Sequence, residues 1–455
     1  MKIYIETLGC PKNFNDSEYV AGLLEASGHE TVMAGPDNGI ADADAVIVNT
    51  CGFINDAKKE SIDTILEMGR LGKLLIITGC LSQRYGDELF REIPEADIIL
   101  GVNDYDTLPE ILERHKGGHE ASEREQHTGM YVKDFEPGCR KLPGNPYTAT
   151  VKIAEGCNNR CAYCVIPDIR GPYRSRAAED ILQECGKLAA AGCRELVIIA
   201  QDITAWGHDT GTYTLPTLLR EICRIPGPEW IRLMYCYEDR ITDEFIRTMA
   251  EEPKICHYID LPLQHVSDRI LKSMGRRSTR KSIENTITRL REGVPDIHIR
   301  TTFITGFPGE TEDDFQELME FAGETKFERL GVFAYSREEG TPAAEMPDQT
   351  EEKIREERRD AIMRQQLDIS LENNMRKTGS IMEVIVDEED DTSAEEEADE
   401  GRVYIGRTRY DAPEIDNSVI IKTEKPGDTG LKPGDIIKVR ITDAFDYDLA
   451  GVQVK

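Results

Sequence analysis

Three thiols stand within eight residues, in the run Cys157-Asn158-Asn159-Arg160-Cys161-Ala162-Tyr163-Cys164. The spacing C-x-x-x-C-x-x-C makes one short loop present three soft ligands, and thiolates so grouped select an iron–sulfur cluster or zinc. A closed structural zinc site needs four ligands, and no fourth Cys or His stands close by in the sequence. Three thiolates on a four-iron cube leave one iron open, and an open metal position is where chemistry happens. The apolar run Ala149 to Ala154 leads into the loop, so the fold must bring a strand end to the metal. Incidental cysteines do not account for this spacing in this context.

A second set of cysteines is spread wider. Residues 1–117 repeat a strand-then-helix pattern, with strands expected over Lys2–Thr7, Asp44–Asn49 and Leu74–Thr78 and helices over Asp16–Ala26 and Asp56–Met68. Short apolar strands alternating with helices imply a parallel sheet. Cys10, Cys51 and Cys80 each follow one of those strands. In open parallel sheets, ligand sites lie beyond the carboxyl ends of the strands, so the three thiols can converge. Gly9 and Gly79 allow tight turns and close backbone approach there. Three thiols again suit a cluster with an open iron, and the competing reading is three buried structural cysteines. The other six cysteines, at 139, 185, 193, 223, 236 and 256, show no such arrangement and are assigned to structure.

The 455 residues suit two or three domains. Residues 118–142 read as a linker, with paired glycines, charged residues and Pro-Gly but little periodicity. Residues 143–374 hold six strand candidates, Thr148–Ala154, Glu195–Ala200, Ile231–Cys236, Tyr258–Leu263, Ile299–Thr305 and Leu330–Tyr335, separated by helical stretches. Six βα units predict a partial (βα)6 TIM-like barrel, and a long helix over Gln349–Arg376 closes it. Residues 375–455 change character: strands over Gly379–Val386, Arg402–Thr408, Val419–Thr423 and Ile436–Thr442 predict a small β-barrel. Ten of the fourteen residues from Asp387 to Glu400 are acidic, which predicts a solvated loop. The fold class is therefore α/β, with a small all-β domain at the carboxyl end.

The net charge of −31 argues against a surface built to grip phosphate backbones and suits a basic partner. The start of the chain reads as a strand without a signal-peptide apolar core, and no apolar run approaches the length needed to span a bilayer. A cytoplasmic monomer without membrane attachment is expected, and in a reducing compartment twelve cysteines point to metal or catalysis before disulfides.

The three regions together resemble the methylthiotransferases of the radical S-adenosylmethionine (SAM) superfamily, and the last is similar to their TRAM module. Four runs carry a closer likeness: Thr7-Leu8-Gly9-Cys10-Pro11-Lys12-Asn13, Asn49-Thr50-Cys51-Gly52-Phe53-Ile54, Tyr258-Ile259-Asp260-Leu261-Pro262-Leu263-Gln264-His265 and Arg407-Thr408-Arg409-Tyr410-Asp411-Ala412-Pro413-Glu414. They resemble the branch that acts on small-subunit ribosomal protein twelve. Its tRNA-modifying relatives usually read Gln-Met-Asn or Lys-Val-Asn after the first cysteine. The resemblance implies two [4Fe-4S] clusters, one on Cys10, Cys51 and Cys80 and one on Cys157, Cys161 and Cys164. It also implies two uses of SAM. One molecule methylates sulfur at the N-terminal cluster. Another, held on the open iron of the barrel cluster, is cleaved to a 5′-deoxyadenosyl radical. That radical takes a hydrogen from an aspartate β-carbon, which then captures the methylthio group. No catalytic side chain beyond the cluster ligands is implied.

For SAM, the same resemblance points to Tyr163 near the adenine and to Ile304 and Gly306 in Thr302-Phe303-Ile304-Thr305-Gly306-Phe307-Pro308-Gly309-Glu310. That run is similar to the superfamily's G-x-I-x-G-x-P-G-E segment, with Thr302 where its first Gly stands. Gln201 and Asp202 end the second barrel strand, where βα-loop ligands gather. His265 and Arg276 are further candidates, against a satisfied strand-end histidine and a surface arginine. The partners implied are the basic ribosomal protein, docked across the barrel mouth and the C-terminal barrel, and a reductant protein of unspecified identity, with tRNA disfavoured. Two rivals stand beside this reading: a tRNA methylthiotransferase, and a non-catalytic iron–sulfur protein for electron transfer or cluster delivery. The segment from Ile304 to Glu310 counts against the second, because an electron carrier needs no SAM pocket.

Overall fold

The computed structural model of the chain describes residues 1–35, 39–115, 123–129, 140–142, 146–211, 213–390, 402–423 and 430–454. Cys139 and residues 391–400 of the acidic run lie outside them.

The N-terminal region runs β1 (Lys2–Thr7), α1 (Pro11–Ala26), β2 (Glu30–Met33), β3 (Ala45–Thr50), α2 (Asn55–Gly69), β4 (Leu74–Gly79), α3 (Cys80–Glu92), β5 (Ile98–Leu100), α4 (Leu108–Arg114) and β6 (Glu125–His127). The six strands form one parallel sheet in the order β2-β1-β3-β4-β5-β6. Every residue of β3 and β4 is buried, because helices cover both faces, and both read as unbroken apolar runs. Three strands carry too little of that signal. β2 opens on an exposed Glu30, β5 has three residues, and β6 is Glu-Gln-His at the sheet edge. β6 lies inside the stretch expected as a linker, so part of that stretch completes the sheet. α1 starts five residues earlier than expected, with Cys10 as N-cap and Pro11 in the first turn.

The second region runs β7 (Thr148–Lys152), β8 (Ala154–Glu155), α5 (Ile166–Arg170), β9 (Arg174–Ser175), α6 (Ala178–Ala190), β10 (Glu195–Ile199), α7 (Leu215–Cys223), β11 (Trp230–Leu233), α8 (Asp243–Glu251), β12 (Ile255–Asp260), α9 (Asp268–Ser273), α10 (Arg280–Gly293), β13 (His298–Thr305), α11 (Glu312–Thr325) and β14 (Arg329–Ala334). Six parallel strands in the order β7-β10-β11-β12-β13-β14 make the open (βα)6 barrel that the sequence predicts. Threonine caps start α10 and α11, where Thr279 and Thr311 each close a capping box. The antiparallel pair β8–β9 clasps the chain on either side of the cysteine loop and α5. α12 (Glu352–Met375) then packs along β14 and α11.

The C-terminal strands β15 (Ile381–Glu389), β16 (Val403–Thr408), β17 (Val419–Lys422), β18 (Ile436–Ala444) and β19 (Leu449–Val454) close into a barrel in the order β15-β16-β17-β19-β18. β19 was not among the expected strands; its Ala-Gly-Val-Gln interior carries little apolar alternation.

This barrel meets the other at the starts of the parallel strands. Arg407 pairs with Glu195 at 2.5 Å, Arg232 donates to the Arg409 carbonyl at 3.0 Å, Arg329 pairs with Asp411, and the Tyr258 hydroxyl donates to Asp416 at 2.6 Å. The arginines of the Arg407–Glu414 run thus work inside the molecule. The C-terminal barrel lies at the end of the strands opposite the cysteine loop, which corrects the expected docking of a substrate across both.

Burial alone would raise the Asp411 carboxyl, but Arg329 and Lys377 overcome it and hold it down at about 2. Its stabilisation is present above the ordinary aspartate value of about 3.9 and is lost as pH falls towards the folded value. Arg329→Ala strands that carboxylate and should cost about 3–5 kcal/mol, read as a lower urea midpoint at neutral pH. The gap to the wild type should narrow on acidification. An equal midpoint would show that the pair does not hold the barrels together.

Candidate functional site

The three adjacent strands β1, β3 and β4 end in cysteines. Cys10 caps α1, Cys51 follows β3, and Cys80 is the first residue of α3. Gly9 and Gly79 have φ values of 96° and 99°, which L side chains rarely adopt. A Cβ on Gly9 would lie 2.8 Å from the Cys51 Cβ, and one on Gly79 would lie 2.4 Å from the Thr50 carbonyl. The strand ends press together that closely because Asn13 ties them. Its Nδ2 donates to the carbonyls of Leu8 at 2.9 Å and Thr50 at 3.0 Å. Asn49 returns the bond, donating to the Asn13 carbonyl at 2.8 Å.

The second triad sits in the loop between β8 and α5. Tyr237 places its hydroxyl 2.7 Å from Cys161 Sγ. Asn159 donates to Asp202 at 3.0 Å, and the Ala162 N–H donates to the Met274 carbonyl at 2.8 Å. The two triads meet across α5. Arg170, 3% exposed, donates through Nη2 to Cys80 Sγ at 3.2 Å and through Nη1 to Asp16 at 2.6 Å. Val165 and Ile169 pack on Cys80. Lys152 bridges Asp16 at 2.6 Å and Glu155 at 2.7 Å. Burial would raise the Glu155 carboxyl, but Lys152 and Arg170 hold it at about 2.

The described cysteines are all free thiols. Burial pushes Cys51 and Cys157 up to about 11 and Cys164 up to about 12. It also raises Cys80, against the pull of Arg170. Such thiols ionise when a metal offers a stronger partner than water. Among the described residues, no three His, Cys, Asp or Glu side chains crowd closely enough for one metal ion. A four-iron cube takes one thiolate per corner, and the three thiols that end three neighbouring strands suit that spread. The residues present therefore fit the cluster better than a single ion.

The expected SAM residues divide. Tyr163 and Ile304 come together in one apolar cluster with Met274, Phe307 and Tyr335. Gly306, at φ 68°, donates its N–H to both Glu310 oxygens at 2.9 Å, and the Arg355 side chain lies over it. Thr302, standing where the resembled motif has Gly, still serves through its backbone, accepting from the Gln264 N–H at 2.8 Å. Gln201 donates to Glu155 at 2.6 Å, and its Oε1 is buried without a partner. Asp202 is engaged already by Asn159, by Thr204 at 2.5 Å and by Arg240 at 2.5 Å, so it braces the cysteine loop. His265 is a turn former: its Nδ1 accepts from the Val266 and Ser267 N–H groups at 2.9 and 3.0 Å. Arg276 is buried, stacks 4.3 Å from the Tyr237 ring centroid, and leaves its Nε unpartnered. Gln264, held at φ 71°, leaves Oε1 in the same state. Three polar atoms without partners, two just beyond β10 and β12 and one in the α9–α10 loop, mark a place for a polar ligand.

Sequence reasoning missed Arg170, Tyr237 and Lys12. Lys12 lies over Tyr235, its Nζ 3.1 Å from the ring centroid. Burial lowers this ammonium, while Cys10 and Asp260 pull it back up. The signal available was position: Lys12 stands two residues beyond Cys10, and Tyr237 directly precedes the turn Glu238–Arg240 that follows β11.

The Radical SAM superfamily pattern matches residues 151–322, the Uncharacterized protein family UPF0004 residues 2–101, and the TRAM domain residues 378–454. The chain is similar along its length to proteins described as ribosomal protein uS12 methylthiotransferase RimO. That of Geobacter sulfurreducens is 47% identical over 99% of this chain and 98% of the relative. Those of Desulforamulus reducens and Clostridioides difficile are 48% and 45% identical, over 98% and 99% of this chain and 98% of each relative. Among solved structures, the chain is similar to the radical SAM methyltransferase TsrM of Kitasatospora setae. The form with cobalamin and a [4Fe-4S] cluster bound has a TM-score of 0.54 at 15% identity, covering 84% of this chain and 80% of that one. At that identity the likeness speaks to fold alone.

Arg170→Met leaves Asp16 to Lys152 and takes the donor from Cys80. Breaking one partner out of a buried pair should cost about 3–5 kcal/mol, measured by urea unfolding of the metal-free protein. Arg170→Lys should recover part of it, because an ammonium reaches one group where the guanidinium forks to two. An unchanged midpoint in the Met variant would remove Arg170 as the bridge.

Proposed function

We infer the reaction from one premise: the chain belongs to the RimO family of ribosomal protein uS12 methylthiotransferases. It is a radical SAM transferase that adds a methylthio group to ribosomal protein uS12, using SAM and two [4Fe-4S] clusters. Neither a tRNA substrate nor a non-catalytic role is favoured beside relatives of this identity over the full chain.

The finer assignment is ours. Cys10, Cys51 and Cys80 hold one cluster, and Cys157, Cys161 and Cys164 hold the other. The observation that carries this is the facing of two thiol triads across α5, with Arg170 reaching from one domain to a thiol of the other. Tyr163 and Ile304 supply an apolar wall for the adenine. Gln201 Oε1, Gln264 Oε1 and Arg276 Nε supply polar partners for the rest of SAM. Asp202 keeps the cysteine loop in place, and Gly306 makes the turn after β13, its N–H held by Glu310 beneath the Arg355 side chain. When bound, SAM and the clusters supply the radical that removes a hydrogen from the substrate carbon and the methylated sulfur that replaces it. The chain's own residues hold, orient and enclose them. The Tyr237 hydroxyl lies 2.7 Å from Cys161 Sγ and fixes its place, and Arg170 donates to Cys80, pulling that thiol towards the thiolate against its burial. The substrate carbon is the β-carbon of an aspartate. An acidic chain steers a basic ribosomal protein towards this mouth. Among the described residues, no helix is long and apolar enough to cross a membrane.

Anaerobic reconstitution should give about eight irons per chain, as two four-iron clusters require, and Cys157→Ala should leave about half. One cluster in the intact protein would defeat the assignment of both triads.

Cys51→Ala should keep some cleavage of SAM to 5′-deoxyadenosine and lose methylthio transfer. Supplied with uS12 and unmodified tRNA in parallel, the wild type should add the methylthio mass to uS12. Addition to tRNA alone would reverse the substrate.

A further inference from the structure

We propose that Lys12 binds the carboxylate of the substrate side chain, so that this residue of the N-terminal domain selects an aspartate at the barrel mouth. The inference rests on the aspartate reading given above.

Lys12 occupies the first turn of α1, two residues beyond Cys10. Its ammonium crosses to the barrel and lies over the face of Tyr235, just past the end of β11. It therefore stands where the two triads' domains meet. Lys12 and Tyr235 are each half-buried, which leaves them reachable from the mouth.

Among the described residues the ammonium makes no ion pair with a carboxylate, and the thiol that acts on it, Cys10, is assigned to the cluster. The carboxylates that act on it are Asp260 and Glu155, and both are engaged elsewhere. Asp260 accepts from Arg300 at 2.8 Å and from the Tyr235 N–H at 3.0 Å. Glu155 accepts from Lys152 at 2.7 Å and from Gln201 at 2.6 Å. Among the described residues, Lys12 makes no ion pair, and its ammonium rests on the ring face. A ring face replaces only part of the hydration that a half-buried ammonium gives up.

The platform beneath it is strained. Tyr235 holds φ at 61°, a region uncommon for a bulky residue. Its N–H is bonded to Asp260 at 3.0 Å, and its ring lies beneath the Lys12 ammonium. Backbone strain retained in this way clusters at functional sites.

A carboxylate is the chemistry this position lacks, and an aspartate side chain supplies one. Its carboxylate is bonded directly to the β-carbon. Anchoring the carboxylate therefore fixes the reacting carbon one bond away, which is where positioning has most effect. An asparagine of the same shape brings no charge to pair, so the same contact discriminates.

The test uses reconstituted holoenzyme, with purified uS12 and uS12 carrying asparagine at the target aspartate. Kd is measured for the wild type, Lys12→Met and Lys12→Arg, with iron content determined for each. The wild type should prefer the aspartate form by about 10- to 100-fold, the range for a charge-assisted bond. Lys12→Met should lose that preference by weakening only the aspartate form, and Lys12→Arg should keep most of it. A Met variant that still discriminates overturns the proposal, as do two variants that weaken both forms alike. Wild-type modification of tRNA, or of a residue other than aspartate, would instead overturn the substrate reading. Wild-type modification of the aspartate, with discrimination undiminished in Lys12→Met, removes Lys12 alone.

Discussion

A buried ion cluster sets the geometry on which both triads depend. Asp16 and Glu155 bring two negative charges, and Lys152 and Arg170 bring two positive ones. The charges balance, so none is left uncompensated in a low-dielectric interface. Asp16 belongs to α1 and the other three to the barrel. The carboxyl ends of one parallel sheet are thereby turned towards the carboxyl ends of the other. Lys58 and Arg84, both near the starts of α2 and α3, reinforce the same facing by pairing with Glu338 at 2.7 and 3.0 Å. Ligand sites form at carboxyl ends of parallel strands. Two such ends apposed make one shared site with donors from both.

The features that depend on residue type and spacing are the ones the sequence brings forward. The six cysteines proposed as ligands follow strand signals, and soft thiolates in threes suit an iron–sulfur cluster. The strands that read clearly are those buried on both faces, such as β3, β4 and β10. The ones that did not are short or polar: β2, β5, β6 and β19. Their existence is decided by hydrogen bonding to a sheet already formed, which local composition does not record. The same distinction separates the site residues. Tyr163 and Ile304 could be found from motifs. Arg170 could not, because its contact with Cys80 spans 90 positions. Lys12 meets Tyr235 only after two domains dock. Asp202 looked like a ligand because it ends a strand, yet Thr204 takes one of its oxygens, and Asn159 and Arg240, distant in sequence, take the other.

The C-terminal barrel shows why net charge and basic motifs must be read separately. Its Arg407, Arg409 and neighbouring Asp411 look like a charged face in sequence, and each is drawn into the join with the barrel. Arg407 and Arg409 are thereby engaged inside the molecule, and among the described residues the basic side chains left exposed on the barrel are Arg402, Lys422, Lys432, Lys438 and Arg440. The acidic excess of the chain then stands largely uncancelled, which favours a basic protein partner over a nucleic acid.

That docking also reaches the site, though it enters from the far end of the strands. Asp416 of the C-terminal barrel pairs with Arg300 at 3.3 Å, and Arg300 pairs with Asp260 at 2.8 Å. Asp260 accepts from the Tyr235 N–H, and Tyr235 carries Lys12. Each link is held by the one below it: a carboxylate that must be neutralised fixes an arginine, and the arginine fixes the carboxylate that holds a strained backbone. Contiguity of this kind is positioning. It explains why a domain that contributes no ligand still bears on the mouth. An open six-stranded barrel lacks the closing strands that would brace its interior, and the C-terminal barrel supplies that bracing in side chains. The floor of the barrel and the platform at its mouth are thus built as one polar column, rigid from the docking face up to the ammonium of Lys12.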